Sequence, residues 1–133
     1  MKSHAVIPLA AMLLAACQGD QGVSRFAGDG RVWELREMAG QPFTARATIR
    51  FPEAGKIAGE APCNSYSARQ NAPYPWFEAT EIVTTERACP QLAEEQRFLG
   101  KLRRMRLAEV SGDVLVLSDE SGGDQMVFSA APR

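Results

Sequence analysis

Histidine is almost missing from this sequence: its 133 residues hold one, His4. That residue stands inside an N-terminal segment with the marks of a removable signal, so the mature chain would carry none. Without imidazole there is no Ser-His-Asp or Cys-His arrangement and no histidine general base. A zinc or copper site would have to be made from carboxylates and methionines alone. What remains open to an enzyme is a carboxylate pair such as Glu60 and Glu78, and nothing in their spacing places them together. We therefore expect no catalysis, no metal and no cofactor. A basic excess is also lacking, since 15 Lys and Arg face 16 Asp and Glu, so no nucleic-acid partner is expected. Apolar runs are short as well. The longest, Ala5 to Ala16, is below the roughly 20 residues that a membrane-spanning helix needs. Internal repeats and low-complexity segments are absent.

What the N-terminus does contain is an address. Lys2 precedes the apolar run, and the run closes on Leu14-Ala15-Ala16-Cys17. A cationic start, an apolar middle and small residues before the cut make a secretory signal over residues 1–16. The cysteine directly after it is the processing site of a bacterial lipoprotein, with a plain secreted protein as the other reading. Lipid on Cys17 would hold the chain firmly once several acyl chains are attached, at ~0.8 kcal/mol per buried methylene. Bacterial lipoproteins with Asp after the cysteine tend to stay in the inner membrane. This chain has Gln18, so the expected location is the periplasmic face of the outer membrane. Gln18 to Gly30 is small, polar and glycine-rich and reads as a tether, making 17–30 a lipidated leash. Fully extended, it would reach at most ~40 Å. Residues 31–130 then form one domain.

With Cys17 lipidated, Cys63 and Cys89 are left as an even pair in an oxidising compartment. A disulfide between them would stabilise the fold by roughly 3–4 kcal/mol in the chain-entropy model. A reactive thiol and a metal site are the alternatives, although a metal would want further ligands at close spacing.

Along the chain, Arg31–Glu37 alternates, with Trp33 and Leu35 on one face. Strands are expected at Ala45–Phe51 and Lys56–Ala61, joined as a hairpin, then at Ser65–Gln70, Trp76–Ala79 and Glu81–Thr85. Asn71–Pro75 interrupts this ladder, because proline lacks the donor. Gln91–Leu107 changes period: Leu92, Phe98, Leu99, Leu102 and Met105 recur at helical spacing. Glu94 and Glu95 open this helix and Lys101, Arg103, Arg104 and Arg106 close it, which suits the macrodipole. The basic end could instead face lipid headgroups. Ala108–Ser111, Val114–Ser118 and Gln125–Ser129 complete the strands. The acidic turn Asp119–Asp124 lacks the spacing of an EF-hand. The expected fold is mainly β (α+β): a small antiparallel, barrel-like wrapped sheet of about seven to nine short strands with one helix inserted late.

The pattern resembles the META domain, the fold of HslJ-like bacterial lipoproteins. The resemblance rests on Trp33-Glu34-Leu35 with Gly40, Ile49-x-Phe51, Gly59-Glu60-Ala61-Pro62-Cys63-Asn64-Ser65-Tyr66, Thr85-x-x-Ala88-Cys89 and Glu95-x-x-Phe98-Leu99-x-x-Leu102. Leu115-x-Leu117 and Val127-Phe128 continue it in the closing hairpin, so it covers about Arg31 to Ser129. Arg87 departs from it where the family usually has methionine. The resemblance implies a compact barrel-like domain with one helix and no established catalytic activity. It also implies a link to envelope stress or drug tolerance in bacteria, and to motility or secretion in a eukaryotic branch. Asn64, beside a cysteine at a strand end, is expected to satisfy backbone groups. Trp33, Trp76, Phe77 and Phe51 are expected in the core. The expected function is an anchored lipoprotein that supports the envelope through contacts with envelope proteins. The alternative is a carrier or sensor of a small apolar ligand, whose identity the sequence leaves unknown. About eight strands leave little room inside.

Overall fold

The computed structural model describes residues 19–132, together with residues 2, 3 and 5. Cys17 and most of the expected signal lie outside the described residues. The described chain runs α1 (Ser24–Ala27), β1 (Trp33–Met38), β2 (Gln41–Pro42), β3 (Thr48–Ile49), β4 (Lys56–Glu60), β5 (Ser65–Arg69) and β6 (Thr80–Thr84). It continues with α2 (Leu92–Leu102), β7 (Leu107–Ser111), β8 (Val114–Ser118) and β9 (Gln125–Ala130). No described helix is long and apolar enough to cross a membrane.

The nine strands form two antiparallel sheets. One is ordered β2-β1-β9-β8-β7, with β3 also paired to β1; the other is β4-β5-β6. Neither closes into a barrel. They meet at Arg50 and Ala58, which exchange two backbone hydrogen bonds of 2.8 and 3.0 Å. The sharp return from β1 to β2 uses Ala39 and Gly40, both at positive φ (53° and 73°), as the tightest hairpins require.

Alternation places Trp33, Leu35, Ile57, Leu115, Leu117, Met126 and Phe128 inward from the strands. Helix α2 adds Phe98, Leu99 and Leu102. Phe98 and Tyr66 meet edge to face, with ring centres 5.6 Å apart. Phe51 and Phe77 fill the core as expected.

Several elements differ from the sequence reading. The helix stops at Leu102 rather than Leu107, because the sheet claims the residues beyond: Arg106 N donates to Ser118 O at 2.7 Å. Trp76–Ala79 is not a strand. Only Trp76 bridges to Leu107, and its side chain is 53% exposed rather than in the core. The donors of this stretch go elsewhere: Trp76 N to Pro73 O at 2.8 Å, Phe77 N to Arg106 O at 2.7 Å and Glu78 N to Gln70 Oε1 at 2.9 Å. The segment before Arg31, expected to be free chain, is in part folded onto the domain. Val23 and Ala27 are buried, and Asp29 bridges to Phe51, so the domain begins before Arg31.

Candidate functional site

The most elaborate polar arrangement lies where the loop after β4 meets the loop before α2. Cys63 and Cys89 are disulfide-bonded, with Cα atoms 5.7 Å apart. Asn64 is buried beside this bridge, and its side-chain amide is fully used. Its Oδ1 accepts from Thr85 Oγ1 at 2.9 Å and from Arg87 N at 2.6 Å. Its Nδ2 donates to Arg87 O at 3.0 Å and to Glu95 Oε2 at 2.7 Å. Four bonds exhaust a side-chain amide. The second centre is Glu95, buried on α2. Its Oε1 accepts from Cys63 N at 3.0 Å and Asn64 N at 2.8 Å.

Glu95 therefore does more than complement the helix dipole. It sits at the head of the series 95, 98, 99, 102 that forms the buried face of α2. A carboxylate on an otherwise apolar stripe is the signal that could have singled it out, because such a group needs donors. Arg87 meets the network through its backbone while its side chain is exposed. The departure from methionine at this position leaves those bonds in place.

Gly59 and Trp33 have structural settings of their own. A Cβ on Gly59 would collide with Thr48 O and stand 2.8 Å from Tyr66 Cε1. The bare backbone lets Tyr66 OH reach Thr48 O at 2.7 Å. Burial pushes the Tyr66 phenol well above its ordinary range. Trp33 donates from Nε1 to Ala27 O at 3.2 Å, and the Arg31 guanidinium lies 4.8 Å from its ring centre.

An open groove of about 480 Å³ runs beside the Asn64 centre, between the residues after β6 and α2. Thr85, Arg87, Leu92, Gln96, Leu99 and Arg103 line it. Asn64 and Glu95 also line it, and their polar side-chain atoms are engaged within the chain. Among the described residues, no group of three or more His, Cys, Asp and Glu could hold a metal ion. In the acidic turn, Asp119 accepts from Ser121 Oγ at 2.7 Å, which together with backbone donors holds its carboxyl below the usual range. Asp124 takes Lys101 Nζ at 2.7 Å on both oxygens. The helix end is thereby pinned to the β8–β9 turn.

A family model for the META domain matches residues 25–132, a span that contains Trp33, Gly59, the Cys63–Asn64 pair, Cys89 and Glu95. The chain belongs to the META domain family. The META match starts inside α1, in keeping with the packing of Val23 and Ala27. The fold is similar to that of a DUF4847 family protein from Bacteroides vulgatus, with TM-score 0.66 and 14% identity over 84% of this chain and 99% of that one. It is also similar to a protein from Burkholderia xenovorans, with TM-score 0.64 and 18% identity over 99% and 97%. No curated protein matches.

Proposed function

We propose that this META-domain chain is a lipoprotein held at the periplasmic face of the outer membrane by acylated Cys17. In this reading it supports envelope integrity or stress tolerance through contacts made by its surface, without catalysis. The observation that carries the reading is Leu14-Ala15-Ala16-Cys17 ahead of a domain filled by its own side chains. Trp33, Phe51, Phe77, Phe98 and Phe128 are all fully buried, which favours work on the outside over carriage of an apolar ligand within. The polar atoms of the Asn64 centre are likewise committed to the fold.

Cys17→Ser tests the anchor. The variant should leave the membrane fraction for the soluble periplasm, and continued sedimentation with membranes would overturn the lipoprotein reading. Deleting the gene should sensitise cells to heat, detergent and large antibiotics. Native mass spectrometry addresses the interior: a bare polypeptide is expected, and a bound mass that leaves on denaturation would restore the carrier reading.

A further inference from the structure

The chain is fastened to its domain much sooner than the composition of residues 18–30 suggests. Tyr74 N donates to Gln21 O at 2.8 Å. Asp20 turns back on the same segment, accepting from Gly22 N at 2.9 Å and from Ser24 Oγ. Only four peptide steps separate Cys17 from Gln21, which allows at most ~14 Å between the lipidated residue and this attachment point. A domain leashed so closely cannot tumble freely above a membrane. One particular face is held near it.

That face carries exposed aromatic surface. Phe26 is 48% exposed and Trp76 is 53% exposed. Phe26 stacks on Tyr74 with ring centres 4.1 Å apart. Tyr74 is two residues from Trp76, and its hydroxyl accepts from Val110 N at 3.2 Å, which ties the segment along β7. Exposed Arg25 lies 5.9 Å from the Phe26 ring centre. Aromatic rings with a polar tip or a neighbouring cation suit the boundary between headgroups and acyl chains, and a guanidinium suits the phosphates there. In water, by contrast, these rings gain nothing from exposure.

We propose that the domain lies against the membrane bearing its anchor, with Phe26, Tyr74 and Trp76 seated in the headgroup region and Arg25 toward the phosphates. This rests on lipidation of Cys17. The second tryptophan, Trp33, is fully buried, so the solvent-sensitive emission reports on Trp76. The test uses the full lipidated protein reconstituted in phosphatidylcholine vesicles with brominated acyl chains, beside Trp76→Phe for assignment and sedimentation to score anchoring. The expected result is strong loss of the Trp76 emission to brominated lipid and several-fold weaker quenching by aqueous iodide than in detergent-free Cys17→Ser protein. Co-sedimentation with Trp76 still open to iodide and untouched by bromine would overturn the seated orientation and leave the anchor standing. Failure to co-sediment would overturn the anchor, and the orientation with it.

Discussion

At the Asn64 centre every side-chain amide atom faces a partner within the chain, whereas around Tyr74 aromatic rings face outward. The first region joins a disulfide, two loops and a helix through Glu95. The second joins the start of the domain to the edge of β7 and leaves Phe26 and Trp76 half exposed. A small domain has few residues to spare, so polar groups spent on one another mark where the fold is held. Apolar groups left unspent mark where something else can be met. The contrast can be broken by showing that the Asn64 centre is dispensable for folding, or sharpened by showing that the Tyr74 face is.

The largest effect is expected from Glu95→Ala. It strands Cys63 N, Asn64 N and one of the two Asn64 Nδ2 hydrogens in a largely buried site, and unmet donors cost about 1–3 kcal/mol each. Allowing for water entry, we expect a loss of about 4 kcal/mol in urea unfolding. A loss below about 1 kcal/mol would mean that the centre is not what holds these loops. Cys63→Ser comes next. The bridge spans 26 residues, and its removal should cost roughly 3–4 kcal/mol less any residual order in the unfolded chain. Equal melting temperatures for the wild-type chain with and without reductant would contradict it.

The difference between the two regions also tracks what was legible in the sequence. The pairing of Cys63 with Cys89 followed from counting, and the backbone role of Asn64 from its chemistry. The strand alternation of β1, β4, β5, β8 and β9 and the apolar stripe of α2 were readable for the same reason: each is a local pattern facing one core. Glu95 is legible as a first-turn acid and as part of the helix motif, but its role is not, because its donors come from residues more than thirty positions away. Around Tyr74 the local signals misled. Trp76 has a core composition but sits on an edge between prolines and solvent. The glycine-rich segment before Arg31 has the composition of free chain, yet Val23 and Ala27 lie in the core. Tertiary contacts decided both, and neither leaves a period in the sequence.

A middle-sized effect should separate backbone fit from hydrogen bonding. Gly59→Ala forces a Cβ into Thr48 O and should cost about 2–3 kcal/mol by overpacking. Tyr66→Phe, which removes only the hydroxyl from Thr48 O, should cost about 1 kcal/mol. The Tyr66 phenol has an ordinary value of 10.0 and is raised in the fold. Its contribution is therefore complete below pH 10 and declines as the pH rises above it, since the unfolded chain loses the proton first. Alkaline unfolding of wild type should accordingly be steeper than that of Tyr66→Phe.

The smallest effect on stability is expected where the effect on placement is greatest. Phe26→Ser and Trp76→Ser alter side chains that are half in solvent, and each should change unfolding by only about 0.5 kcal/mol. Phe26→Ser should nevertheless reopen Trp76 to iodide in the lipidated protein, because the ring stacked on Tyr74 would no longer seat that face. If Phe26→Ser instead destabilised the domain as much as Gly59→Ala, the Tyr74 face would belong to the fold like the Asn64 centre. The two regions would then differ in polarity alone, without a division between holding and meeting.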